Sequence, residues 1–320
     1  MTDIATNCEN LTYLSSKPEK DLLIAGIGRQ GLWASDDGGE TWSQMGTGKG
    51  SQQVANLPTA IIYDPADSNR FWEAGIYNGG GVYSTDNDGK TFRDLGGITH
   101  IDSVSVDFSG SDRNTLLASE HERRQAFLLS QDGGDTWQEM GQYFPAEAKF
   151  CSYPLVLDAQ TFLFGCGVTL SGDGLSGIYK STDAGNSWTS VSRNQGGASQ
   201  PLRASDGSMY WVTEFGGGMV RSTDQGDTWT TVVGNGVINN FAPSELPDGR
   251  IAVMSGRHVL LSKDHGATFR IATADLSFDP GGFLYSPFQK AFYAWHAGCS
   301  SSVPSDAVVR YDFDYETETL

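Results

Sequence analysis

The chain has 320 residues, with 39 acidic against 21 basic side chains and a formal charge of −18. That excess of acid argues against general nucleic-acid binding, which needs clustered Lys and Arg. A charged content of only 19% with 40 glycines excludes a disordered or coiled-coil composition. No apolar run approaches the roughly 18–20 residues of a membrane helix, and the start, MTDIATNCEN, has neither the basic end nor the apolar core of a signal peptide. The chain as written reads as a cytoplasmic, soluble monomer, or as a secreted or periplasmic one if a leader has been removed.

In chain order, short strand-like runs alternate with one recurring turn. The string [Ser/Thr]-x-[Asp/Asn]-x-Gly-x-[Thr/Ser]-[Trp/Phe] occurs as SDDGGETW from Ser35, TDNDGKTF from Thr85, SQDGGDTW from Ser130, STDAGNSW from Ser181, STDQGDTW from Ser222 and SKDHGATF from Ser262. The starts lie 50, 45, 51, 41 and 40 residues apart, the period of a propeller blade. A strand run precedes and follows each string, so each is a hairpin turn. Its acid or amide accepts backbone N–H groups, its Gly permits positive φ and its aromatic ring returns to the sheet. These are folding roles, with a calcium or catalytic role for Asp132 and its counterparts as the alternative.

The second unit shows the full set of runs: TAIIYDP, RFWEAGIY, GVYS and, after the turn, TFRDL. Four strands per unit is the pattern of one blade. In the fourth unit Cys151 opens the first strand and Cys166 ends the second, so a turn near Asp158 sets them opposite each other. Cys8 and Cys299 would meet at the seam of a closed ring. Either pair is a candidate disulfide, with buried free thiols as the alternative. A seventh unit lacks the turn string but offers GGFLYSPFQ, KAFYAWHAG and AVVRYDFDY, and residues Thr2 to Thr6 are placed to supply its outer strand. The expected architecture is all-β: one domain over residues 1–320, a seven-bladed β-propeller of four-stranded antiparallel blades with six such hairpins.

The six strings resemble the Asp-box, or bacterial neuraminidase repeat, of a propeller superfamily that includes sialidases, xyloglucan-cleaving hydrolases, sortilin-type receptors and a photosystem II assembly factor. The resemblance covers roughly residues 9–313 and implies the fold; function varies across the group. Sialidases share an Arg-[Ile/Val/Leu]-Pro triplet ahead of the first box, and this chain has none, so no arginine cluster or Tyr–Glu nucleophile carries over. The xyloglucan-cleaving enzymes place two propellers around a cleft, and this chain has the length of one.

A propeller sorts its loops. The box turns and the turns between first and second strands share a lower face. The loops between second and third strands, and between blades, share an upper face around the channel mouth. Four of the five histidines fall on the upper loops, with carboxylates, arginines and rings, and a concave mouth of that kind is the expected ligand site. The expected catalytic residues are Glu120, His121, Glu214 and His296, with a buried glutamate paired to an imidazole for acid/base work. Tyr77, His100, Arg123, Arg124, Arg257, His258 and Trp295 are expected to bind substrate, the arginines holding an anionic group. No cofactor is expected; a divalent metal held by several of His100, His121, His258 and His296 is the alternative, although no two have metal-motif spacing. The reading is a carbohydrate-active enzyme, a glycoside hydrolase or polysaccharide lyase, acting on a small acidic or polar glycan ligand. A non-catalytic glycan- or protein-binding propeller is the competing reading.

Overall fold

The computed structural model describes residues 11–46, 53–167, 176–193, 197, 199–213, 218–272, 274–295 and 308–320. Over these, seven antiparallel sheets follow one another along the chain: β1(Leu11–Ser16) to β4(Ser43–Gln44), β5(Leu57–Tyr63) to β8(Arg93–Asp94), β9(Ile101–Val106) to β12(Gln138–Glu139), β13(Phe150–Val156) to β16(Thr189–Ser192), β17(Leu202–Arg203) to β20(Thr230–Val233), β21(Ser244–Glu245) to β24(Arg270–Ile271), and β25(Gly282–Ser286) to β27(Val308–Asp312). Strand order within each sheet follows sequence order, the meander of a propeller blade. The seventh sheet shows three strands among the described residues. The segment expected to complete it, Thr2 to Thr6, lies outside them.

The first strand of each sheet lies innermost, and the ring closes by packing β1 against β25. At that seam Ser16 Oγ donates to Ser286 Oγ at 2.7 Å, Tyr293 OH donates to Gly38 O at 3.0 Å, and Leu11, Ala25, Tyr293 and Val308 share one buried cluster. Between the other blades apolar faces interleave in the same way. One example is the set Phe127, Phe144, Phe164 and Trp188, whose rings meet edge-on or tilted at 4.6–5.7 Å. The second and third strands are buried on both faces and read as continuous apolar runs, such as Phe162–Gly167, every residue of which is buried.

The six recurrent strings form the hairpins between third and fourth strands. In the first, Ser35 Oγ donates to Asp37 at 2.7 Å and accepts the Gly39 N–H at 2.8 Å, while Asp37 accepts the Thr41 N–H at 2.9 Å and the Thr41 hydroxyl at 2.5 Å. The same bonds recur around Asp132, Asp183, Asp224 and Asp264. The Thr41 hydroxyl, then its N–H, hold the Asp37 carboxyl down at about 2, and Asp132, Asp224 and Asp264 are held at about 2 by their own threonines. These carboxylates are engaged inside their own turns, as the sequence reading expected. Two consecutive positive φ values shape each turn, as at Gly38 (72°) and Gly39 (90°) or Gln225 (57°) and Gly226 (84°).

Hydrogen bonds also bear out the sorting of loops. The box turns bond to the first-to-second-strand turns of their own blades: Asp88 N to Asn69 O, Gly133 N to Asn114 O, Ala184 N to Gln160 O. At the other end, second-to-third-strand loops bond to the loops between blades: Gly81 N to Ile98 O, His121 N to His100 O, Gln125 N to Lys149 O, Leu276 N to Arg257 O. Cys151 and Cys166 pair directly across β13 and β14 and form a disulfide. Cys8 and Cys299 lie outside the described residues.

Candidate functional site at the upper mouth

Three adjacent blades converge on one polar cluster. The loop after β6 carries Tyr77 and Asn78, the segment before β9 carries His100, β9 carries Asp102, the loop after β10 carries His121, and β13 carries Ser152. His121 Nδ1 lies 2.6 Å from Asp102 Oδ1, and Ser152 Oγ donates to the other Asp102 oxygen at 3.3 Å. An ionised carboxylate only accepts, so Asp102 fixes the proton on Nδ1 and leaves His121 Nε2 with its lone pair outward. The Tyr77 hydroxyl sits 3.0 Å from that Nε2 and donates to it. His100 stacks on His121 at 5.4 Å between ring centroids and meets Tyr77 edge-on at 4.8 Å, bracketing the imidazole.

The backbone is held in an unfavourable region to build this arrangement. Tyr77, Asn78, His100 and Glu122 all have φ between 54° and 64° without being glycine. Arg29, also at φ 64°, donates from Nε to Asn78 Oδ1 at 3.3 Å. Left-handed conformations of this kind cost free energy and collect where function needs a fixed side chain. Asp102 and His121 keep 20% exposure each and Tyr77 is 40% exposed, so the cluster is sunk but reachable from solvent. Burial pushes the Asp102 carboxyl above its ordinary value, against the pull of the His121 imidazole.

Only part of the expected site is brought together. Tyr77, His100 and His121 meet. Glu120 does not pair with His121: it turns the other way, where Arg123 bonds to it and also lies 3.5 Å from Glu139. Strand alternation separates Glu120 from its chain neighbour, and the Arg123 guanidinium is used in the same ion pair rather than presented to a ligand. Burial, first among the causes, raises the Glu120 carboxyl. Arg124 lies over the Phe150 ring at 5.4 Å. His258 pairs instead with Asp275 at 2.6 Å, in the sixth blade, and the Arg257 carbonyl accepts the Leu276 N–H beside it. Neither touches the His121 cluster. Trp295 is 7% exposed and packs as a core ring in β26 against Gly282, because a second strand is buried on both faces. Its ring also lines the cavity of the central channel. Glu214 and His296 lie outside the described residues. Among the described residues, which do not include His296, no three side chains of metal-ligating type converge on a common point.

Sequence reasoning missed Asp102, Ser152 and Asn78. A signal for Asp102 was present: an acid at the second position of an inner strand, IDSVSV, two residues after a loop histidine. Among the described residues no helix is long and apolar enough to cross a membrane.

The family model described as Sortilin-Vps10 (sortilin, neurotensin receptor 3) matches residues 30–161. No curated protein matches the sequence. Among solved structures, the GH74 enzyme of Niastella koreensis superposes with a TM-score of 0.65 at 17% identity, over 96% of this chain and 55% of its own. The GH74 xyloglucanase from Xanthomonas campestris gives 0.62 at 19%, over 93% and 52%. YCF48 bound to D1 peptide gives 0.56 at 15%, over 82% of this chain and 83% of its own. The chain thus spans about half the length of the two GH74 enzymes and most of the length of YCF48. Recurring turns, seven sheets and these likenesses together make the chain a seven-bladed β-propeller similar to the Asp-box group.

Proposed function

We propose that the upper mouth is the site of a carbohydrate-active enzyme that moves a proton at His121 Nε2 on an acidic saccharide, with β-elimination as the reaction class. The observation that carries this reading is the Tyr77–His121–Asp102 chain of hydrogen bonds, at 3.0 and 2.6 Å. It offers one oriented imidazole base, a carboxylate to stabilise the imidazolium, and a phenol on the same nitrogen to relay or return the proton. Hydrolysis of a glycosidic bond ordinarily needs two carboxyl groups flanking the bond. Here Asp102 is tied to His121 Nδ1, Glu122 lies 3.5 Å from Nε2 of the same imidazole, and Glu120 is tied to Arg123.

In the elimination, His121 Nε2 takes the proton from the carbon beside the sugar carboxylate, the bond to the leaving oxygen breaks, a carbon–carbon double bond forms, and the leaving oxygen takes a proton from Tyr77. Arg29, anchored on Asn78, supplies positive charge for the carboxylate. The test is incubation with polygalacturonate, alginate and chondroitin, following near-ultraviolet absorbance of the conjugated product. Wild type is expected to process at least one, and His121→Ala to be slower by about a hundredfold or more. No product from any acidic polymer, or equal rates for both proteins, would overturn the reading.

A second reading is a non-catalytic binding propeller. The near-equal mutual coverage with YCF48, a structure solved with a bound peptide, favours it. Saturable glycan or peptide binding at the mouth without turnover would support it over the first.

A further inference from the structure

The channel below the mouth forms a cavity of about 350 Å³. Inner strands enter from the upper face, so its walls at Thr12–Leu14, Leu57–Thr59 and Gly282–Leu284, the starts of β1, β5 and β25, are the upper half of the channel. Ile76 and Tyr153 on its rim adjoin Tyr77 and Ser152 of the cluster above. Among the described residues none that walls it carries a charge, in a chain with 60 charged side chains. By contrast, the cavity of about 450 Å³ between box turns on the lower face is walled by Asp86, Asp112, Asp132, Asp135, Arg70, Arg93 and Arg113.

Several of the channel's polar groups are turned into the protein. Thr12 Oγ1 donates to Gly26 O at 3.3 Å, and Thr59 Oγ1 to Ala74 O at 3.0 Å and Ile101 O at 3.3 Å. Gln200, from the segment before β17, reaches to the third blade and donates to Val104 O at 3.3 Å and to Ser103. The apolar residues that line the cavity are Pro58, Ile76, Tyr153, Phe241, Phe283 and Leu284. A half-open cavity of this size lined by rings and a few neutral polar groups has the character of a small-molecule pocket. A wall without countercharge disfavours an ion and favours an uncharged group.

We infer that the upper channel is a second binding site, for an uncharged aromatic or alkyl group, continuous with the polar mouth. A ligand that fills both is an amphiphile, with a polar or acidic head at His121 and an apolar substituent in the channel. The channel site does not require the proposed chemistry at the mouth; only the head group rests on that reading.

The probe is 2-naphthol, with binding measured by calorimetry on the full chain. Saturable binding of one naphthol per chain is expected. Ala242→Trp and Ser244→Phe, both from the sixth blade and both at the cavity wall, each fill the channel and are expected to weaken binding by about tenfold or more. His121→Ala is expected to leave it unchanged. Absence of saturable binding to wild type overturns the inference, as does wild-type affinity in either filling variant that keeps the wild-type circular dichroism. Should both filling variants misfold, crystals of wild type soaked in 2-naphthol decide: density between Pro58 and Phe283 supports the site, and density elsewhere or none contradicts it. Loss of turnover in His121→Ala with naphthol binding intact separates a failure of the mouth reading from a failure of this one.

Discussion

Within one box turn, six hydrogen-bonding atoms satisfy each other, and the second box supplies a natural control. There Asn87 replaces the aspartate. It still accepts the Thr91 N–H at 3.0 Å, and its amide donates to the Thr91 hydroxyl at 2.7 Å. Asp132→Asn is therefore expected to leave the melting temperature close to wild type, whereas Asp132→Ala lowers it. Residue 225 makes a second prediction. Gln225 stands at φ 57° where two other boxes have Gly38 and Gly133, so Gln225→Gly relieves a left-handed conformation. The expected gain is about 0.5–1 kcal/mol in denaturant unfolding, the steric relief outweighing the added freedom of the unfolded chain. A third concerns Glu73, wholly buried between the first two blades and pushed up by burial to about 8, with Asn56 as its hydrogen-bond partner at 3.4 Å. A raised carboxyl binds its proton more tightly in the folded state. Its contribution is complete below the ordinary value of 4.5 and is lost as pH rises towards about 8. Glu73→Gln cannot ionise, so its melting temperature should fall less than that of wild type between pH 5 and pH 8.5. Parallel curves for the two proteins would remove Glu73 from the account.

At the scale of elements, cations from one blade clasp the box turn of the next. Lys17 in the first blade holds Asp88 at 2.7 Å, and Lys180 in the fourth holds Asp227 at 2.7 Å and Gln225 O at 2.9 Å. The disulfide ties β13 to β14 one residue from Ser152, which in turn bonds to Asp102. Replacing both Cys151 and Cys166 by Ser reopens a span of 15 residues. Unfolding in urea should show a loss of about 3 kcal/mol for a loop of that size. The blades were legible in the sequence because hairpin chemistry is local: Ser, Asp, Gly and Thr act within eight consecutive residues. The functional cluster was only half legible, because it joins three blades. Loop position brought out Tyr77, His100 and His121. It also suggested Glu120, which pairs with Arg123 instead of His121, and Trp295, whose largely buried ring lines the channel cavity rather than joining the His121 cluster. Asp102 sits inside a strand that otherwise reads as packing, and nothing in its neighbourhood reveals that Ser152, from the next blade, lies against it.

For the molecule as a whole, ring closure separates two chemistries. The lower face is built of turns whose carboxylates are bonded within the turn or to cations of the neighbouring blade, while the upper face gathers an oriented imidazole, a phenol and a guanidinium above a channel lined, among the described residues, by uncharged side chains. Because Asp102 must be ionised to hold the His121 proton on Nδ1, and burial raises its carboxyl, turnover should fall on the acid side at a pH above the usual carboxylate range. Asp102→Asn should lower the maximal rate far more than the apparent substrate affinity. The most direct measurement is a crystal structure of His121→Ala, soaked with saturating oligosaccharide of a uronic acid. A sugar is expected at the upper mouth, its carboxylate at Arg29 and its ring against Tyr77. A sugar seated on the lower face among the box turns, or an empty mouth at saturation, would contradict it.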